Sequence, residues 1–243
     1  MTDPAAIWRL EVHETLGSTS DLCRERALAG EAGGLAVLAL RQTAGRGSRG
    51  RGWVSPPGNL YLSLLLRPTT KPREAGMWAL LAGVAVAEAL AEFGVVLKWP
   101  NDILHDGAKL GGILIESSLN PTGALDFLVI GIGLNLAHAP TLPERRTASL
   151  SGAVDPQVTA RRILDRISHW QAVDWAAVRT AWQDHALPVG TEMTLRQGDT
   201  QRLGRFAGLS DDGSLLLAEE ECVRLVSSGE IWLASETWES APC

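Results

Sequence analysis

One nine-residue stretch in the first quarter of the chain constrains the possible fold more than any other segment does. Residues 45–53 have the sequence Gly-Arg-Gly-Ser-Arg-Gly-Arg-Gly-Trp, with four glycines and three arginines. Glycine reaches backbone conformations closed to other residues and leaves room for a close ligand. Arginine binds phosphate or carboxylate oxygens two at a time, and Trp53 is suited to cover a flat or apolar ligand. Apolar runs at residues 35–40 and 60–66 flank the stretch, which predicts a loop between two strands.

Two nucleotide-binding motifs are similar to this loop, and both are rejected. Gly45, Gly47 and Gly50 match G-x-G-x-x-G, but that pattern indicates a dinucleotide site only where a helix follows. Residues 54–59 contain two prolines and a glycine, which exclude such a helix. The stretch is also close to G-x-x-x-x-G-K-[ST], but it has arginine in place of the lysine and glycine in place of the hydroxyl residue. A merely solvated basic loop is the simpler alternative, and Trp53 argues against it.

Length and charge limit the partners of the protein. The 243 residues suffice for one large domain and one small one, which we place at residues 1–187 and 188–243. The net charge of −6 predicts no attraction to nucleic acid or to a membrane surface. A locally basic loop on an acidic protein favours a small anionic ligand.

Cysteine usage and hydropathy predict a cytoplasmic protein. Cys23, Cys222 and Cys243 are too scattered for a metal site or a disulfide framework, which indicates a reducing compartment. From its first residues we expect no signal peptide. The longest apolar run, residues 78–91, is too short to span a bilayer.

Hydrophobic periodicity and turn residues predict strands and helices along the whole chain. Ser18 is placed to cap a first helix that Leu22, Arg26 and Ala29 indicate. The other predicted helices cover 72–93, 156–170 and 174–186. Predicted strands of the large domain cover 7–12, 35–41, 59–67, 95–97 (resuming at 103–104), 109–116 and 125–132. Short strands at 192–195, 203–209, 214–217, 223–226 and 231–234 predict a small C-terminal β-barrel.

Chemically distinct side chains cluster where these strands end. Lys98-Trp99-Pro100-Asn101-Asp102 follows one strand, and a hairpin turn at 105–108 returns the chain to Lys109. The hairpin would bring Asp102 and Lys109 close to one pocket, although a surface ion pair of little energetic worth is the alternative. Gly131 and Gly133 leave space for a ligand or another backbone. Asn135 would bind that ligand or complete a turn.

Taken together, these motifs resemble the biotin–protein ligase (biotin–acetyl-CoA-carboxylase ligase) family. The resemblance covers roughly residues 15–136, and the order and spacing of several separate motifs make it specific. The motifs are Ser18-Thr19-Ser20, Gln42, residues 45–53, residues 98–102, residues 109–116 and residues 131–135. The resemblance implies an α+β fold: a mixed β-sheet with flanking helices, similar to the class II aminoacyl-tRNA synthetase core, and a C-terminal small SH3-like β-barrel. Few residues precede Ser18, so we expect the monofunctional type without an N-terminal DNA-binding domain.

The resemblance also implies the reaction and its participants. ATP and biotin are the expected substrates, with Mg²⁺ held mainly by phosphates and no dedicated metal site in the protein. Biotin becomes biotinyl-AMP and is then transferred to a lysine of a biotin carboxyl carrier protein. A homodimer is left open.

The resemblance assigns roles to individual residues. The expected catalytic residues are Lys109, Asp102 and Arg46, with Asp102 orienting or deprotonating the incoming lysine. The expected biotin-binding residues are Ser18, Thr19, Ser20, Gln42, Arg46, Gly47, Ser48, Lys109, Gly112, Gly131 and Gly133. The expected residues for ATP or the adenylate are Arg46, Arg49, Arg51, Trp53, Asn101, Lys109 and Asn135.

Two positions depart from the family pattern. Ser20 stands where the family has asparagine, so one hydrogen bond to the ureido ring of biotin would be lost or pass through water. Ser48 replaces an arginine that helps family members to retain the adenylate. Arg49 is adjacent, but its side chain starts in a different direction.

Two alternatives to a biotin ligase stay open at this point. A lipoate–protein ligase or octanoyltransferase would share the fold, but not the arginine loop followed by residues 98–102. A biotin- or nucleotide-sensing module without turnover is supported by Ser48 alone.

Overall fold

The computed structural model describes residues 8–143 and 145–233. Ile7 and Ala234, the predicted outer ends of the first and last strands, lie outside the described residues, as does Cys243. The described elements are, in chain order, β1 Arg9–His13, α1 Thr19–Leu28, β2 Leu35–Ala39, β3 Leu60–Leu66, α2 Met77–Ala89, β4 Val96–Lys98, β5 Asp102–His105, β6 Ala108–Leu119, β7 Leu125–Leu134, α3 Pro156–Gln171, α4 Trp175–Asp184, β8 Glu192–Gln197, β9 Thr200–Leu209, β10 Leu215–Ala218, β11 Val223–Val226 and β12 Glu230–Leu233.

The large sheet is mixed and has helices on both faces. Its seven strands lie in the order β1-β2-β3-β7-β6-β5-β4. Strands β1 and β2 are parallel, and the other neighbours are antiparallel. Cys23 and Ala27 of α1 pack on one face with Leu35 and Leu65, and α2 packs on the other. Because both faces are covered, β2 and β3 are buried along their whole length, which confirms the predicted mixed α+β fold.

The predicted helix over residues 72–93 is wrong in its length. The α-helix α2 covers only Met77–Ala89, and short 3₁₀ turns at Pro72–Glu74 and Ala91–Phe93 flank it. The alanine- and leucine-rich composition indicates a helix but does not specify its ends, because cap geometry decides those. Gly94 then leaves the helical region with a φ of 58°.

Residues 98–102 do not continue one strand, as the sequence had suggested, but form a reversal between two. Strands β4 and β5 are antiparallel neighbours, with Lys98 directly opposite Asp102. The peptide bond between Trp99 and Pro100 is cis. The next hairpin, between β5 and β6, lies where it was predicted, with positive φ at Asp106 and Gly107.

Strand β7 is longer than predicted, so its two glycines lie within the strand. Gly131 lies opposite Ser63 of β3, and Gly133 lies opposite Gly112 of β6. These positions give the centre of the large sheet a surface with few side chains.

The C-terminal strands form a separate five-stranded antiparallel sheet. Its order is β11-β10-β9-β8-β12, which fits the predicted small SH3-like barrel. Lys98 Nζ donates a hydrogen bond to the carbonyl of Ile231, and Trp99 Nε1 donates to that of Gly213. Strand β12 therefore contacts the turn that carries Asp102. The domain boundary after residue 187 stays a proposal.

Candidate active site

A cavity of about 240 Å³ lies over the glycine-rich part of the large sheet. The 45–53 loop, the start of α1, strands β3, β6 and β7, and Trp232 of β12 contribute to its lining. The structure brings together here most of the residues that the sequence singled out: Ser18, Thr19, Ser20, Gln42, Arg46, Gly47, Ser48, Arg51, Trp53, Asn101, Lys109, Gly112, Gly131, Gly133 and Asn135. Arg49 and Asp102 instead line a smaller neighbouring cavity of about 90 Å³. The role of each residue stays a prediction.

One end of the main cavity contains uncharged polar groups in fixed positions. Gln42 Oε1 accepts hydrogen bonds from the backbone N–H of Thr19 at 2.8 Å and from its hydroxyl at 3.1 Å. Ser63 Oγ lies 2.8 Å from Thr19 Oγ1 and 3.0 Å from Ser20 Oγ. Ser18 accepts a hydrogen bond from the N–H of Asp21 and so caps α1. This end is suited to a neutral ligand group with several donors and acceptors.

The serine at position 63 was missed by the sequence analysis. It is fully buried in β3, whose other residues are apolar or aromatic. A hydroxyl inside such a strand needs a partner, because an unpaired buried polar group is costly. A serine within an otherwise apolar strand was therefore the sequence signal that could have indicated a polar site here.

Two glycines of β7 shape the cavity by lacking a Cβ. A Cβ at Gly131 would lie 2.8 Å from Ser20 Oγ, and one at Gly133 would lie 2.8 Å from the ring of Trp53. The indole of Trp53 therefore packs directly against the sheet. Its Nε1 is buried and has no hydrogen-bond partner among the described residues, which leaves a donor for a ligand.

Replacing Gly133 with alanine is expected to weaken ligand binding about tenfold, because the new methyl group displaces Trp53 from the cavity wall. Titration calorimetry with biotin, the substrate that the family resemblance implies, measures the effect. Gly76→Ala is the matched control, since a Cβ there has no atom within 4 Å. Equal affinities for the two variants would contradict this role of Trp53.

Arg46, near the start of the 45–53 loop, forms part of the cavity lining. Its guanidinium contacts Asp21 Oδ1 at 2.6 Å and Glu116 Oε1 at 2.8 Å. The hydrogen bond that Arg46 donates to Asp21 and the charge of Glu116 raise the pKa of Arg46, against the effect of burial. Hydrogen bonds from Gly47 N to Arg51 O and from Trp53 N to Gly45 O fold the loop into a compact turn. Arg46 is therefore a fixed positive charge beside the cavity.

Asp102 lies at the centre of a buried ion cluster. Its carboxylate accepts a short hydrogen bond from Lys109 and lies 3.3 Å from Lys98 Nζ and 3.2 Å from Arg145 Nη1. Burial acts to raise the pKa of Asp102, but the three cations together lower it to about 2. The alternative of a surface ion pair is wrong, because Asp102 is only 8% exposed. A carboxylate of such low pKa is a weak proton acceptor, so the cluster favours orientation over deprotonation as the role of Asp102.

Lys109 links this cluster to the main cavity. Its ammonium group contacts Asp102 on one side and lies 5.9 Å from the centre of the Trp53 ring on the other. Burial lowers the pKa of Lys109, and the charge of Asp102 opposes that effect. Backbone hydrogen bonds to residues 146 and 148 fix its strand position. Lys109 is thus a positioned cation at the cavity wall.

A second ion cluster joins the arginine loop to the C-terminal sheet. Glu230 of β12 contacts Arg49 at 2.8 Å, Arg51 at 2.9 Å and Arg145 at 3.3 Å. The guanidinium of Arg145 also stacks on the ring of Trp232, 4.9 Å from its centre. Sequence reasoning missed Arg145, Glu230 and Trp232. They lie in segments assigned only to a loop region and a barrel, with no local motif.

Two asparagines hold neighbouring segments in place. Asn101 Nδ2 donates to the carbonyl of Ile113 at 2.6 Å, which fixes the β4–β5 turn against β6. Asn135 Nδ2 donates to the carbonyl of Ala148 at 3.2 Å, and its Oδ1 is buried without a partner among the described residues. Asn135 therefore completes a turn and still presents a free acceptor.

These features define a small-molecule site on a mixed sheet, lined both by fixed uncharged polar groups and by cationic side chains. Residues 14–135 match the Biotin/lipoate A/B protein ligase family. A biotin–[acetyl-CoA-carboxylase] ligase of Paracoccus denitrificans is 34% identical over 84% of this chain and 92% of its own.

Solved structures agree with the sequence comparison. The biotin protein ligase of Aquifex aeolicus in complex with biotin and ATP is 30% identical, covers 93% of this chain and 98% of its own, and has a TM-score of 0.76. The ligase of Leishmania major in complex with biotinyl-5-AMP is 27% identical over 92% of this chain and 97% of its own, with a TM-score of 0.64. The chain belongs to the Biotin/lipoate A/B protein ligase family, which confirms the resemblance drawn from its motifs.

Two further features concern metals and membranes. In residues 8–143 and 145–233, no group of three or more His, Cys, Asp or Glu side chains is arranged to hold a metal ion. Within the same residues, no helix is long and apolar enough to cross a bilayer.

Proposed function

We propose that this chain is an ATP-dependent biotin protein ligase that acts on a biotin carboxyl carrier protein. The observation that carries the proposal is one cavity whose lining combines the uncharged polar groups of Thr19 and Gln42 with the cations Arg46 and Lys109. Biotin has the matching polarity, with a neutral ureido ring and a carboxylate. The Paracoccus, Aquifex and Leishmania relatives support the same substrates.

The cationic side chains of the cavity lining fit the first half-reaction. An oxygen of the biotin carboxylate attacks the α-phosphorus of ATP, and the bond from that phosphorus to the bridging oxygen of the β-phosphate breaks. Two anions must approach each other, so Arg46 and Lys109 supply opposite charge where it is needed. Trp53 lies over the sheet at this point and restricts water, which would hydrolyse the mixed anhydride.

The second half-reaction transfers the biotinyl group. The amine of a carrier lysine attacks the acyl carbon of biotinyl-AMP, AMP leaves, and the amine loses a proton. Mg²⁺ would enter with the phosphates of ATP, since no cluster of protein carboxylates among the described residues is arranged to hold it. We place the reaction in the cytoplasm, because Cys23 and Cys222 are free thiols.

Incorporation of labelled biotin into a purified carrier domain, with ATP and MgCl₂, tests the proposal. We expect labelling that depends on ATP. Folded protein that binds biotin but does not label the carrier would favour a sensor. Attachment of lipoate in preference to biotin would favour a lipoate ligase.

Ser48→Arg is expected to reduce the escape of biotinyl-AMP into solution about tenfold. Ser48 lines both cavities, and its Oγ accepts a hydrogen bond from Arg51 Nη2 at 3.3 Å. An arginine there adds one charge-assisted hydrogen bond to the intermediate. Free biotinyl-AMP is measured after rapid filtration, with Ser48→Ala as the control that adds no charge. Unchanged escape in Ser48→Arg would show that this serine causes no leakage.

A further inference from the structure

Ser55 does not line the main cavity, but it holds one residue of that lining in a single orientation. Its hydroxyl donates to the carbonyl of Trp53 at 2.9 Å, so its one hydrogen is used and it accepts from Gln42 Nε2 at 3.1 Å. On the other side of the amide, Gln42 Oε1 accepts from the backbone N–H of Thr19 at 2.8 Å, and a backbone N–H can only donate. Both contacts require the same orientation, so the amide of Gln42 is fixed with its oxygen towards α1.

Gly45 leaves the space that this arrangement needs. A Cβ at position 45 would lie 2.5 Å from Ser55 Oγ and 2.9 Å from Gln42 Nε2, and it would also overlap the carbonyl oxygen of Trp53. Ser55 itself is only 7% exposed. The first glycine of the 45–53 loop is therefore explained by the close approach of Gln42 to Ser55.

The fixed amide sets the direction of every hydrogen bond that follows it. Gln42 Oε1 can only accept, so the single hydroxyl hydrogen of Thr19 points to it, over a distance of 3.1 Å. Ser63 then donates to Thr19 at 2.8 Å, and Ser20 donates to Ser63 at 3.0 Å. Because each hydroxyl has one hydrogen, no other assignment makes all three contacts hydrogen bonds. We call Thr19, Ser63 and Ser20 the hydroxyl chain.

The hydroxyl chain offers only lone pairs to the cavity that it lines. Such a surface binds a ligand group that donates hydrogen bonds. Beside a ligand without donors its acceptors stay unpaired, and a site of this kind discriminates strongly against that ligand. The ureido N–H groups of biotin are suitable donors, whereas the dithiolane ring of lipoate has no N–H group.

We propose that Ser55 is a positioning residue that gives the site its selectivity for a ligand with N–H donors. It acts through Gln42 and the hydroxyl chain and does not touch the ligand. The inference rests on the proposed function, because the ureido ring of biotin supplies the donors. With the amide reversed, each hydroxyl hydrogen would turn round, and Ser20 would present its hydrogen to the cavity. Successive hydrogen bonds polarise one another, so the orientation set at Ser55 reaches the ligand.

Titration calorimetry of the full chain with biotin tests the inference in a double-mutant cycle. Ser55→Ala and Ser63→Ala should each weaken biotin binding about fivefold, since each interrupts the same series of hydrogen bonds. The double variant should bind no more weakly than the weaker of the two single variants, because a series broken once has no further order to lose. In carrier labelling, the KM for biotin should rise by the same factor while kcat stays unchanged.

Ser214→Ala serves as the control, because this buried serine belongs to the C-terminal part of the chain and lines neither cavity. Biotin affinity in Ser55→Ala equal to that of Ser214→Ala would overturn the inference. Losses that add up in the double variant would also overturn it, since two independent packing defects behave in that way. Wild-type protein that binds lipoate and not biotin would overturn the proposed function as well.

Discussion

Lys109→Ala is expected to slow biotin-dependent release of pyrophosphate by about a hundredfold to a thousandfold. Lys109 is a cation that lines the main cavity and is fixed from behind by Asp102. Removing one preorganised donor from a site of developing negative charge has effects of this size. A coupled assay for pyrophosphate measures the first half-reaction alone, without carrier protein.

Lys71→Ala provides the matched control, because this lysine is exposed and lines neither cavity. The fold should survive Lys109→Ala, since Asp102 keeps Lys98 and Arg145 as partners. Far-UV circular dichroism and thermal unfolding of the variant check that point. Near-normal release of pyrophosphate by a folded variant would remove Lys109 from the reaction.

Local pattern predicted the elements of this fold better than their ends. The buried run at residues 35–41 and the alternating C-terminal segments became strands β2 and β8–β12, because burial on one or two faces leaves a direct trace in hydropathy. The ends of helix α2 have no comparable signal in the hydropathy of the sequence. The reversal at residues 98–102 depends on β4 and β5 pairing with each other, a tertiary choice that composition does not encode.

The site was predictable where its residues occur in compact motifs. Glycines and arginines concentrated in residues 45–53 indicate a ligand loop whatever the rest of the chain does. Arg145 and Glu230 are ordinary charged residues in their own segments. They acquire a role only because β12 packs against the β4–β5 turn, which brings them to Arg51 and Asp102. Residues of this kind are identified from the tertiary contacts in the structure, because no sequence pattern indicates them.

Asp102→Asn is expected to lower the free energy of unfolding at pH 7 by about 3–5 kcal/mol, because it leaves buried cations without their shared carboxylate. The affected cations are Lys98, Lys109 and Arg145. Without the carboxylate of Asp102, Lys109 should also shift from its position in the cavity, so we expect both half-reactions to slow. Slowing of transfer alone would instead support direct contact between Asp102 and the carrier lysine.

The difference in the free energy of unfolding between wild type and Asp102→Asn should depend on pH, because the fold shifts the pKa of Asp102. The pKa of Asp102 is lowered from 3.8 to about 2 in the folded protein. A lowered pKa means that the carboxylate stabilises the fold above its unfolded-state value and loses that effect as pH falls through the folded-state value. The gap between wild type and Asp102→Asn should therefore narrow between about pH 4 and pH 2.

Urea unfolding at several pH values measures this gap directly. Asp106→Asn is the control, because Asp106 is in the same hairpin region, is 91% exposed and has a positive φ that asparagine tolerates. Its stability should stay within about 0.5 kcal/mol of wild type throughout. A gap for Asp102→Asn that stays constant from pH 7 to pH 2 would mean that the ionised carboxylate does not hold the three cations together. Lys109 would then need another source of its position, and the link between the buried cluster and adenylate formation would be lost.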